Sequence, residues 1–121
     1  MKVIIDTNGI MLPAQFGVDI FTELRRLGFD QFLLPKAILH ELDGLVRRCR
    51  GKDKMAAKLA ISLSERCDII EGEGFADDVI VRLAPVYDAA VLTNDIGLQQ
   101  RLKEKEIPIV RLRQKNKLDF L

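Results

Sequence analysis

Lys2-Val3-Ile4-Ile5-Asp6 opens the chain as a short run of β-branched residues that stops at a carboxylate. Such a run, apolar on alternating sides, fits a strand covered on both faces, with Asp6 at its carboxyl end. A second stretch of this kind, Ala89-Ala90-Val91-Leu92-Thr93, stops at Asn94-Asp95. The segments around these two decide how the sheet is wound.

After Asp6, residues 9–17 contain Gly9, Pro13 and Gly17 and read as a loop. Residues 18–27 place Ile20, Phe21, Leu24 and Leu27 at helical spacing, closed by Gly28. Residues 29–34 form a second strand, and Pro35 suits the entry to a helix. From Lys36–Arg48 onward, Ile38, Leu39, Leu42, Leu45, Val46 and Cys49 wind into one apolar stripe. Gly51 interrupts it, and residues 54–67 make another helix with Met55, Ala56, Leu59, Ala60 and Leu63 on its apolar side. Residues 68–71 are a strand and residues 72–74 a turn, and residues 76–84 are a helix that ends before Pro85. Residues 97–105 are helical, and residues 107–112 form a last strand around Pro108, placed at a sheet edge because proline withholds a ladder donor. Strands alternating with helices at this density imply a Rossmann-like, three-layer α/β/α sandwich around a mainly parallel sheet, with residues 1–121 as one domain.

Composition narrows the chemistry. A chain of 121 residues that is 48% apolar has enough material for one core and not for separate cofactor and substrate domains. Its apolar runs are far shorter than the roughly 20 residues that cross a bilayer, and no leader precedes Asp6, so a cytoplasmic protein without membrane contact is expected. Nineteen Lys and Arg against 18 Asp and Glu give a net charge of +1, which excludes a uniformly basic nucleic-acid coat. Cys49 and Cys67 form no CxxC pair and read as reduced, buried thiols. With His40 as the single histidine, multi-histidine metal sites are excluded and carboxylates must carry most of any catalysis.

In open parallel sheets, functional groups gather outside the carboxyl ends of the strands, where Asp6 and Asp95 both fall. Glu41 lies roughly 90° from the centre of its helix's apolar stripe, at the border of core and solvent, whereas His40 faces water. Asp77 lies at the edge of the stripe formed by Val79, Ile80, Leu83 and Ala84, with Asp78 almost opposite, so Asp77 is the one that leans over the sheet. Each carboxylate also has an ordinary structural reading: Glu41 as a surface side chain, the three aspartate positions as helix or turn caps. Together they are less ordinary. Two carboxylates about 4 Å apart repel by about 4 kcal/mol at an effective dielectric of about 20, so a cluster of four calls for a cation. Hard oxygen donors without His or Cys select Mg²⁺ or Mn²⁺, ions suited to phosphodiester hydrolysis.

The ordered set Val3-Ile4-Ile5-Asp6-Thr7-Asn8, Leu34-Pro35 through Glu41-Leu42, Phe75-Ala76-Asp77-Asp78 and Val91-Leu92-Thr93-Asn94-Asp95 resembles the successive motifs of a PIN domain across essentially the whole chain. The stretch Ile109-Val110-Arg111-Leu112-Arg113-Gln114-Lys115 and the Ala76-Asp77-Asp78 form are similar to archaeal VapC-like proteins and to PIN nucleases of ribosomal RNA processing. The resemblance implies an endoribonuclease whose Mg²⁺ or Mn²⁺ is held by Asp6, Asp77 and Asp95, with Glu41 completing the acidic pocket. Thr7, Asn8, Thr93 and Asn94 would support these ligands, with Asp78 beside them. It also implies RNA as substrate, and an antitoxin or a ribosome-processing protein as partner. An inactive PIN domain that binds RNA or Mg²⁺ without cleaving is the alternative.

Two basic runs are candidate phosphate contacts: Arg47, Arg48, Arg50, Lys52, Lys54 and Lys58 around one helix junction, and Arg111, Arg113, Lys115 and Lys117 near the end. Solvated helix ends explain such runs equally well. With no Trp, one Tyr and six Phe read mostly as core, stacking of bases is not evident. The final residues 117–121 include apolar side chains that need cover from this domain or from a second copy in a homodimer.

Overall fold

The computed structural model describes residues 1–121. Its strands are β1 (Lys2–Ile5), β2 (Gln31–Pro35), β3 (Asp68–Ile70), β4 (Ala89–Leu92), β5 (Ile109–Gln114) and β6 (Lys117–Phe120). Its helices are α1 (Thr7–Phe16), α2 (Ile20–Arg26), α3 (Lys36–Arg48), α4 (Gly51–Leu63), α5 (Ala76–Tyr87) and α6 (Ile96–Glu104), with a 3₁₀ turn at Ser64–Arg66. The strands form one sheet in the order β3-β2-β1-β4-β5-β6, parallel throughout except for the antiparallel β5–β6 pair. Val3, Ile4 and Ile5 alternate between the two faces and none reaches solvent, so helices cover both sides in a three-layer α/β/α arrangement. No helix is long and apolar enough to cross a membrane.

The order of winding positions the site. From β1 the chain builds outward to β2 and β3, then returns through α5 to add β4 on the other side of β1. Strand order therefore reverses between β1 and β4, and the connections leaving these two strands splay apart to open a crevice at their carboxyl ends. Asp6 follows β1 there, and Asp95 follows β4 by three residues.

Several elements differ from the sequence expectation. The segment 9–17 is mostly helix, not loop: Asp6 caps α1 through the Gly9 N–H, and Ile10, Met11 and Leu12 are buried by it. Pro13 sits inside α1 at the cost of one hydrogen bond. Likewise α5 runs through Pro85 to Tyr87 and ends at Asp88, which takes a left-handed conformation with φ 52°. On α4, Met55 and Leu59 are exposed, whereas Ala56, Ala57 and Ala60 are buried. β5 is not an edge strand, because residues 117–120 form β6 outside it. The tail thus docks on its own domain: Leu118 is fully buried, its N–H bonds Glu23 Oε1 at 3.0 Å, and its carbonyl accepts from Arg26 Nη2 at 2.6 Å. Cys49 and Cys67 are free and only half-buried.

Candidate active site

Asp6 and Asp95 are placed by the same device. Asp6 directly follows β1 and Asp95 follows β4 by three residues, and each caps the helix that comes next, Asp6 Oδ1 accepting from Gly9 N at 2.6 Å and Asp95 Oδ1 from Leu98 N at 2.9 Å. Capping by Oδ1 fixes both carboxyls over the crevice and leaves the second oxygen of each without a backbone donor. Asp77 arrives differently, from the first turn of α5, whose cap residue is Phe75.

Burial is the leading influence on Asp6. It pushes this carboxyl from 3.8 up to about 7, against the Thr93 side chain and the Gly9 N–H, which both favour the charged form, while the charges of Asp77 and Asp95 raise it further. Asp77 is also raised, by partial burial first and then by Asp95, with Arg101 opposing. The three aspartates therefore form one electrostatically coupled group. Asp78 points elsewhere: its Oδ1 lies 2.9 Å from Arg101 Nη2, an ion pair that bridges α5 and α6.

Around this group the polar side chains tie β1, β4 and β5 together. Asn8 Oδ1 accepts from Asn94 N at 3.1 Å, and Asn94 Oδ1 accepts from Leu112 N at 2.8 Å. Thr93 Oγ1 accepts from Asp95 N, and the Thr93 carbonyl accepts from Gln99 Nε2. Thr7 Oγ1 is buried with no hydrogen-bond partner. Two contributors escaped the sequence reading. Gly9 is one, since a Cβ there would stand 2.9 Å from the Leu92 carbonyl oxygen and 3.0 Å from Asp6 Oδ1, so only glycine lets α1 start this close to β4. Its place three residues after a strand-ending aspartate was the available signal. Arg101 is the other, and nothing in its local sequence marks it.

Glu41 is not drawn into the coupled group. It is exposed on α3, and the acidic charges acting on Asp6 are those of Asp77 and Asp95. His40 is exposed as well and lines a cleft of about 320 Å³ with Lys36, Glu71 and Glu73. Of the basic residues, Arg47 pairs with Asp43 at 2.8 Å and Arg113 with Asp119 at 3.1 Å, and the Arg111 Nε is buried without a partner. Arg48 folds back over Gly44, and Arg50, Lys52 and Lys54 are at the surface, in or beside the α3–α4 junction.

As the side chains stand, no three His, Cys, Asp or Glu groups converge closely enough to enclose an ion. The donor chemistry nevertheless fits a hard divalent cation. It consists of carboxylate oxygens whose mutual repulsion has no internal counter-charge beyond Arg101, and Thr7, which follows Asp6 in the chain, has a buried hydroxyl without a partner.

A family model described as a PIN like domain matches residues 3–115. The chain is 32% identical over 111 residues to Ribonuclease VapC9 of Archaeoglobus fulgidus, covering 92% of this chain and 82% of that protein. It is 28% identical over 120 residues to Ribonuclease VapC4 of Methanocaldococcus jannaschii, covering 94% and 92%. Among solved structures, the PIN domain endonuclease Utp24 superposes with a TM-score of 0.79 at 27% identity, over 98% of this chain and 90% of that one. VapBC2 from Rickettsia felis, bound to a promoter DNA fragment, superposes with a TM-score of 0.64 at 21% identity over 93% and 100%, a likeness of fold alone.

Proposed function

This chain belongs to the PIN-like domain family, and on that premise we propose that it is a divalent-metal-dependent endoribonuclease of the VapC type. The observation that carries the proposal is the coupling of Asp6, Asp77 and Asp95 at the switch point between β1 and β4. Burial first, and then repulsion within the group, raises the Asp6 and Asp77 carboxyls and makes it a receptor for positive charge. Asp6, Asp77 and Asp95 would hold Mg²⁺ or Mn²⁺, with Glu41 contributing from α3 at the rim. A bound ion of this kind activates water and stabilises the leaving oxygen in phosphodiester hydrolysis.

The chain's own residues prepare the rest. The caps at Gly9 and Leu98 hold Asp6 and Asp95 in fixed rotamers, and Asn8, Thr93 and Asn94 lock the loops that carry them. Asp78 holds Arg101 beside Asp77, which places a guanidinium where a phosphate would lie. The RNA backbone would be steered by Arg47, Arg48, Arg50, Lys52 and Lys54 at the α3–α4 junction and by Arg111 and Arg113 on β5. β5 runs parallel to β4, so these last two approach the carboxyl edge of the sheet. The names of the two similar ribonucleases support a toxin that a partner antitoxin restrains.

A second reading, an inactive PIN domain that binds RNA or Mg²⁺, draws on the exposed Glu41 and on the carboxyls standing apart. One experiment separates the two. Purified protein should cleave single-stranded RNA in Mn²⁺ or Mg²⁺ and not in EDTA, and Asp95→Asn should remove the activity. Binding without cleavage across several RNAs in both ions, or full activity in Asp95→Asn, would defeat the nuclease reading.

A further inference from the structure

Phe75 is 84% exposed, although it stands only two residues before Asp77. Helix stability does not explain it, because Phe75 occupies the N-cap of α5 and gives no side-chain cap, a position that Ser, Thr, Asp or Asn would fill better. Packing does not explain it either. Phe21, Phe29 and Phe32 are in the core and Phe120 lies against Phe29, whereas the Phe75 ring is left in water.

The turn that presents this ring is anchored. A Cβ on Gly72 would fall 2.7 Å from Val79 Cγ1, so the backbone lies directly on α5, and Gly74 turns the chain at φ 117°. Arg82 Nη2 reaches the Glu73 carbonyl at 3.4 Å. At the start of the neighbouring helix α6, Ile96, next to Asp95, is 71% exposed. Each of two exposed apolar side chains thus stands within two residues of an aspartate of the acidic group, and Arg82 and Arg101 lie on α5 and α6.

We propose that Phe75 is a stacking platform for an unpaired base of the RNA strand, with Ile96 beside Asp95 as a second apolar surface. The inference rests on the nuclease reading for its ligand. It is favoured over a protein contact because Phe75 stands two residues before Asp77, with Arg82 held to the Glu73 carbonyl and Arg101 to Asp78, and aromatic and cationic groups on one short segment match the alternation of base and phosphate along a single strand.

The chain has no tryptophan, so Phe75→Trp installs a single reporter at the site. In Ca²⁺, which screens carboxylates, a short single-stranded RNA should quench this fluorescence saturably, and an RNA of the same length with abasic positions should not. Phe75→Ala should weaken binding of the same RNA about ten-fold, the scale of one stacked base, while Phe75→Trp retains it. No quenching by any RNA, equal quenching by the abasic strand, or unchanged affinity in Phe75→Ala would overturn the proposal. These readouts require no cleavage, so an inactive enzyme would defeat the nuclease reading and leave the stacking result to stand on its own.

Discussion

Asp6→Asn should stabilise the metal-free protein at alkaline pH and not at acidic pH. The Asp6 carboxyl is 3.8 in the unfolded chain and about 7 in the folded one, a rise dominated by burial. A raised carboxyl favours folding only while it is protonated. Its contribution is complete below 3.8 and is lost progressively as pH climbs to about 7, at about 1.4 kcal/mol per pH unit. A rise of about 3 units corresponds to about 4 kcal/mol withdrawn from the wild type by pH 8. Asparagine keeps an oxygen for the Gly9 N–H and has no charge at any pH, but its amide hydrogens need partners that the buried site does not obviously offer, an offset of about 1–3 kcal/mol. That offset is independent of pH. The decisive quantity is therefore how the stability difference between the two proteins changes, measured by urea unfolding in EDTA between pH 4 and pH 8. Asp6→Asn should gain about 4 kcal/mol on the wild type across that interval, whatever its standing at pH 4. Mn²⁺ at about 100 times its dissociation constant should restore about 2.7 kcal/mol to the wild type at pH 8 and little to the variant. Parallel stability curves across the interval, or a variant that loses ground as pH rises, would refute the electrostatic account of Asp6.

The adjacent aspartates should separate functionally. Asp77→Asn should bring Mn²⁺-dependent cleavage to background, whereas Asp78→Asn, which releases Arg101 and leaves all three carboxylates of the group in place, should reduce it by roughly ten-fold or less, both read by initial rates on one labelled RNA. On the far side of the sheet, Leu118→Ala should cost about 2–5 kcal/mol in urea unfolding, since this residue is fully buried, and Phe120→Ala, 43% exposed, should cost clearly less. Equal costs would mean that β6 is not held by its inward face.

Legibility in the sequence followed what each residue is asked to do. The helix Lys36–Arg48 is readable to the residue, because its wide apolar stripe is decided by hydropathy alone. Residues 9–17 mislead because Gly9 and Pro13 punctuate a segment whose helicity comes from the local Asp6 cap and from the tertiary burial of Ile10, Met11 and Leu12. On α4 the larger apolar residues point to one face and the packing selects another. Close approach to α1 and α3 favours Ala56, Ala57 and Ala60, and Met55 and Leu59 are left outside. The tail was open between two partners, since sequence cannot show that Glu23 and Arg26 of α2 receive the Leu118 backbone. Asp77 is distinguishable from Asp78 on a helical wheel, but the ion pair of Asp78 with Arg101 joins residues of different helices and leaves no local mark.

For Asp6 and Asp95 the sequence offers two readings, helix cap and functional carboxylate, that compete as explanations. The structure shows the first at both positions, and under the nuclease reading it would enable the second. A carboxylate free to rotate would relieve repulsion from its neighbours by swinging into solvent, and the site would lose its charge density. The hydrogen bond from Gly9 or Leu98 prevents this by holding Oδ1, and the following helix adds its positive end to keep the fixed carboxylate ionisable. Asp77, placed at an exposed first turn without such a bond, is the member with most freedom to adjust. Two fixed carboxylates and one adjustable one would let the group open without a cation and close around one, which reconciles the mutual influence of these charges with side chains that stand apart. It also explains why asparagine is the informative replacement at positions 6 and 95. An amide preserves the cap and removes only the charge, so a loss of activity in a stably folded Asn variant reports on chemistry, whereas alanine would remove both together.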